Sequence, residues 1–150
     1  MLDLLCRQRL LRFLKQETEG RGATLIFATH VFDGLDDWAT AWEEARETVL
    51  SAYGAFSPEM GGIAQRFFDE RWIDAPIRPG KRTGAFAHPT VPSAHPYVLV
   101  NYLGKPRDVM TLAHELGHGV HQVLAAGQGE LLADTPLTLA ETASVFGEML

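Results

Sequence analysis

The stretch Thr111-Leu-Ala-His-Glu-Leu-Gly-His-Gly-Val-His-Gln122 holds three of the chain's six histidines. His114 and His118 are four residues apart, and Glu115 directly follows the first. In an α-helix four residues turn the chain by about 400° and advance it by about 6 Å. The two imidazoles then lie one above the other on one face and can converge on one ion. Glu115 sits about 100° around from His114, at the edge of that face. Its carboxylate is near enough to reach a water beside the metal, yet aimed away from the metal itself. Two imidazoles with a hard third ligand suit zinc, and an open fourth position makes such a site catalytic.

The competing reading is a helix with incidental histidines. Gly117 and Gly119 argue against it, because each costs about 1 kcal/mol relative to alanine in a helix interior. A helix that accepts both needs close approach by another backbone. The face is also polar within an otherwise apolar helix (Val109, Leu112, Leu116, Val120, Val123, Leu124), and buried imidazoles need partners. His121 reads as a packing or ligand-supporting histidine, with a ligand role as the alternative.

A third ligand is expected on the next helical stretch, Thr138-Leu-Ala-Glu-Thr-Ala-Ser-Val-Phe-Gly-Glu148. Glu141 has small neighbours, Ala140 and Ala143, so its helix can come close to the first. Glu148 lies two turns on, on the same face. Thr138-x-x-Glu141 also fits a capping box, although Pro136 starts the helix too early for that. For Glu148 a solvated surface acid is the alternative.

The remaining pattern supplies elements to position these groups. Residues 2–19 read as an amphipathic helix ended by Gly20 and Gly22, and residues 23–28 as a buried strand. Residues 38–53 are helical. Ser57-Pro58 starts another helix, serine as cap and proline where its missing N–H costs nothing, running to about Trp72. Between Asp74 and Pro96 five prolines and two glycines exclude helix. Within that stretch Thr83–Ala87 forms a short strand, and Tyr97–Tyr102 a better one. Asp108 caps the histidine helix, which runs to about Ala126, and Thr135-Pro136 begins the last helix. The expected fold is α+β, mostly helical, with a small sheet beside the zinc helix.

Of the 150 residues, 46% are apolar and 21% charged, an ordinary globular balance. A net charge of −6 argues against nucleic-acid and anionic-membrane partners. No apolar run approaches membrane-spanning length. The single cysteine, Cys6, excludes an intrachain disulfide and fits a reducing compartment, so a soluble, cytoplasmic protein is expected.

Several stretches in order carry a resemblance: Trp42-Glu-Glu-Ala-Arg, Phe67-Phe-Asp-Glu-Arg-Trp-Ile-Asp, Pro79-Gly-Lys-Arg-Thr-Gly-Ala-Phe, His95-Pro-Tyr-Val-Leu-Val-Asn-Tyr, the histidine stretch from Arg107, and Leu139-Ala-Glu-Thr-Ala-Ser. Residues 39–150 resemble the catalytic core of an M3-family metallopeptidase of the oligoendopeptidase F type. The resemblance implies a zincin-like core fragment and one zinc ion bound by His114, His118 and Glu141. It also implies Glu115 as general base, taking a proton from water and passing it to the leaving amine. Oligopeptide substrates follow, with a sheet edge pairing to the extended peptide; Gly84 to Ala87 is the candidate edge. The family's chains are several times longer, so the rest of the catalytic domain would come from another chain. The alternative is a truncated or fused zinc-binding module without turnover. Residues 1–38, with Leu10-Leu-Arg-Phe-Leu-Lys and Arg21-Gly-Ala-Thr-Leu-Ile-Phe-Ala-Thr-His30, resemble the distal end of an ABC-type ATPase domain. With no phosphate-cradling loop in this sequence, His30 is given no function.

Overall fold

The computed structural model describes residues 40–150. The helix and strand expected within residues 1–38, and the ATPase-like segment they would form, lie outside the described residues. Two helices come first, α1 (Trp42–Phe56) and α2 (Pro58–Asp69). Ser57 separates them in an extended conformation, and its hydroxyl accepts from the Met60 N–H at 3.3 Å with Pro58 in the first turn. This is the expected cap. α2 ends before Trp72 because Arg71 adopts a left-handed φ of 60°. The Trp72 N–H then returns to the Phe67 carbonyl at 2.9 Å. That closure stops a helix even where the apolar pattern continues.

The sheet has three short strands, β1 (Ile73–Asp74), β2 (Phe86–His88) and β3 (Tyr97–Leu99), in the order β1-β3-β2. β1 runs parallel to β3, and β2 pairs with it antiparallel in the register Ala87 to Val98. The strand expected over residues 83–87 is thus shifted toward its carboxyl end. Gly84, at φ 87°, keeps the chain in a turn until Ala85. The strand expected over residues 97–102 is regular only to Leu99, although Val100 and Tyr102 still donate to Asp74 and Ala75. Aromatic rings join two distant stretches of sequence: Trp72 lies edge-on to Phe67 at 5.1 Å and stacks flat on His95 at 4.3 Å.

The proline-rich connection holds its shape through Lys81, whose side chain is only 4% exposed. Its Nζ donates to the carbonyls of Asp74 at 2.9 Å, Pro76 at 3.0 Å and Val100 at 2.6 Å. Asn101 Nδ2 meanwhile donates to the carbonyls of Arg82 and Gly84. The residues leading into β2 are therefore tied to the ends of β1 and β3. Lys81→Met keeps the aliphatic stem but takes the ammonium donor from the Pro76 and Val100 carbonyls, while the Asp74 carbonyl keeps the Val100 N–H. We expect it to lower unfolding free energy by about 3 kcal/mol in denaturant titration. A loss below about 1 kcal/mol would show that water replaces the ammonium.

Helices α3 (Pro106–Ala126) and α4 (Leu137–Met149) complete the described fold. Asp108 does not precede α3 as its cap. It sits in the first turn, and its carboxylate reaches back to the N–H groups of Lys105 at 3.0 Å and Leu103 at 2.8 Å. Pro106 at the first helical position makes this placement possible. Leu112, Leu116 and Val120 of α3 form the middle of the core, with Tyr53, Phe67, Trp72, Val98 and Val100 around them. α4 packs along α3, as do β2 and β3. No described helix is long and apolar enough to cross a membrane.

Candidate metal centre

α3 and α4 come together at glycine. A Cβ on Gly117 would lie 2.8 Å from the Ala143 carbonyl oxygen and 3.0 Å from Ser144 Cα. The close backbone approach that the sequence demanded is therefore made by α4, immediately past Glu141. Gly119 answers a different need: a Cβ there would meet the Phe67 ring at 2.6 Å. Small residues at the crossing let two backbones approach within a distance that any side chain would forbid.

That approach brings Glu141 to the histidine pair. Its carboxylate oxygens lie 3.5 Å from His114 Nε2 and 3.7 Å from His118 Nε2. The imidazoles are nearly perpendicular, with centroids 5.1 Å apart. Among the described residues, His114, His118 and Glu141 form a group whose ligand atoms lie within 4.8 Å of one another. A tetrahedral zinc at about 2.0–2.1 Å from nitrogen and oxygen ligands holds them about 3.3 Å apart. The donor set and its spacing fit such an ion after small adjustments. α4 starts at Leu137, with Pro136 as its cap residue, so Thr138 is already inside the helix and no capping box forms. Glu141 is free to face the histidines, and Ser144 Oγ donates to its carboxylate at 3.2 Å.

Glu148, open in sequence between ligand and surface acid, does something else. Its Oε2 is 3.1 Å from His114 Nδ1. An ionised carboxylate only accepts, so the ring donates from Nδ1 and leaves Nε2 with its lone pair toward Glu141 and His118. His121 is not part of the cluster, though its charge bears on His118. Ser144 carried no metal-site signal beyond standing three residues after Glu141.

Glu115 stands apart from the group as its helical position requires. It is buried, 7% exposed. Burial pushes its carboxyl above the ordinary range, and Glu141 adds to this. The nearby His114 and a hydrogen bond from the Ala87 backbone act the other way. Burial also holds His118 below the ordinary histidine range, against the pull of Glu141. That favours the neutral imidazole, the form that binds metal. Of the stretch expected as a substrate edge, Phe86 and Ala87 lie in the edge strand β2, and Gly84 and Ala85 lead into it.

The sequence model described as peptidase family M3 matches residues 58–150. Oligoendopeptidase F (chromosomal) of Lactococcus lactis subsp. cremoris is 32% identical over 113 residues, covering 75% of this chain and 19% of that protein. A crystal structure of a candidate peptidase from Chlamydophila abortus superposes with a TM-score of 0.68 at 30% identity, covering 74% of this chain and 19% of that one. This chain thus spans about a fifth of the length of the relatives it matches. A separate match of 39 residues is 64% identical to ABC transporter I family member 20 of Arabidopsis thaliana, covering 26% of this chain and 12% of that protein.

Proposed function

Because the chain belongs to peptidase family M3, we propose that residues 39–150 form the metal-binding, water-activating core of a zinc metalloendopeptidase acting on oligopeptides. The observation that carries this reading is the convergence of His114, His118 and Glu141, with a buried Glu115 beside them and outside the ligand group. A zinc ion held by the three would supply a Lewis acid that brings the acidity of water toward neutrality and polarises a peptide carbonyl. Glu115 accepts the proton as water adds to the carbonyl and delivers it to the leaving amine. A carboxyl raised by burial is a stronger base than a solvated glutamate, which suits the first of these steps. Glu148 holds His114 in the tautomer and orientation that offer Nε2. The outer edge of β2 offers main-chain groups to an extended peptide. The single cysteine supports a reducing compartment, the cytoplasm.

A second reading is a zinc-binding module without turnover. Peptide hydrolysis needs a second donor to the oxyanion, worth on the order of a hundred- to thousandfold in rate, and a held substrate. The test is hydrolysis of a mixed oligopeptide pool with added zinc, with Glu115→Gln as blank. The expected result is chelator-sensitive cleavage. Cleavage must disappear in the blank. Equal rates in chain and blank would leave only the module reading.

A further inference from the structure

We infer that Tyr53 is a positioning residue for the proposed metal site, its hydroxyl setting the spacing between the two helices that carry the ligands. The inference rests on the zinc reading above. Tyr53 is fully buried on α1, and its hydroxyl donates to the Ala113 carbonyl of α3 at 2.6 Å. Ala113 directly precedes His114. On its other side the same hydroxyl packs against Gly147 of α4, where an added Cβ would fall on the hydroxyl oxygen. Gly147 directly precedes Glu148, the partner of His114 Nδ1. One phenol oxygen thus touches the residue before a metal-facing histidine and the residue before the carboxylate that orients it.

The rest of the junction is equally tight. A Cβ at Gly147 would also come within 3.1 Å of the Ala113 carbonyl oxygen and of Gly117 Cα. Tyr53, Ala113, Gly117 and Gly147 therefore form one contact knot, and the Gly117 side of it continues to Ala143 and Ser144. The Ala113 carbonyl lies inside α3, where the helix already supplies a donor. The hydroxyl is not needed to satisfy that carbonyl, and phenylalanine would fill the same core space without a polar atom to bury. What the hydroxyl adds is a fixed stop between α3 and α4. Sites of this kind tolerate about 0.5 Å of displacement before function suffers.

The geometry gives the stop a reciprocal signature. At Gly147 only the Tyr53 hydroxyl would block a Cβ outright, since the next contacts are at 3.1 Å and need a shift of a few tenths of an ångström. Removing the hydroxyl should make room for the methyl group. The experiment compares the full chain with Tyr53→Phe, Gly147→Ala and the double substitution. Zinc affinity is read by competition with a chelating dye, ligand geometry by the visible spectrum of the cobalt(II) form, and folding by thermal melting. Gly147→Ala should weaken zinc about a hundredfold and alter the cobalt spectrum, and Tyr53→Phe should weaken it about tenfold. The double variant should bind at least about tenfold tighter than Gly147→Ala and regain a spectrum close to that of Tyr53→Phe. If Gly147→Ala does not fold, the double variant carries the test by folding and taking up zinc. A double variant as weak as the sum of both losses would overturn the inference, as would single variants with unchanged affinity and spectrum. A parent chain that takes up no zinc would instead remove the reading on which the inference stands.

Discussion

Replacing His118 by alanine is expected to lower zinc affinity on the order of a hundredfold or more, whereas Glu115→Gln leaves it within about threefold. Structural zinc sites with four ligands are worth about 10–16 kcal/mol, hence about 3 kcal/mol for each ligand, and a tenfold change is about 1.4 kcal/mol. His114→Ala and Glu141→Ala belong with His118→Ala, because the three residues' candidate ligand atoms lie within 4.8 Å of one another. Glu148→Gln belongs between the groups. It keeps an acceptor for His114 Nδ1 but loses the charge that strengthens the hydrogen bond, and such outer partners are worth about ten- to a hundredfold. Glu115 offers nothing to the cluster, and glutamine fits the same space. Metal analysis of purified protein, followed by dye competition, checks the series. The role assignment fails if Glu115→Gln comes out metal-free while Glu141→Ala keeps full occupancy.

What sequence pattern conveys here is what lies within a few residues. His114, Glu115 and His118 were legible because helical geometry fixes their directions before any packing is known. Ser57 and Pro58 were legible for the same reason. From the residue pattern alone Glu141 was one of two acids on a face, and only the family resemblance singled it out. The choice between it and Glu148 depends on where α4 crosses α3, and the crossing point is set by Gly117 against Ala143 and Ser144. Once it is fixed, Glu141 meets both Nε2 atoms and Glu148 meets Nδ1.

Other features had no local trace. Lys81 gathers carbonyls from three positions as distant as Val100, and an isolated lysine in a turn gives no sign of it. Tyr53 reaches a carbonyl sixty positions away. Arg71 takes a left-handed conformation that glycine or asparagine would have announced. The burial of Glu115 is also a tertiary fact. Its position on the helix was predictable, but the hydrogen bond from Ala87 depends on β2 lying over α3.

The second large effect expected is at Gly117, which bears no chemistry of its own. Gly117→Ala should cost about 2–3 kcal/mol of stability and lower zinc affinity by at least about tenfold, with every ligand still present. A methyl group there meets backbone, the Ala143 carbonyl oxygen at 2.8 Å and Ser144 Cα at 3.0 Å. Backbone cannot rotate aside as a side chain can, so α4 must shift as a unit. Any such shift moves Glu141 and Glu148 together away from His114. Two other glycines separate this mechanism from a general penalty. Gly119→Ala presses on the buried Phe67 ring, so it should destabilise the fold yet leave the affinity of the folded molecules near that of the parent. Gly62, inside α2, has nothing within 4 Å of its would-be Cβ, and alanine there should stabilise by up to about 1 kcal/mol. Denaturant titration of the metal-free forms and dye competition for zinc give the two axes. A Gly117→Ala protein that unfolds early but binds zinc as the parent does would mean that the ligands do not depend on the helix crossing. The metal site would then be a property of α3 alone.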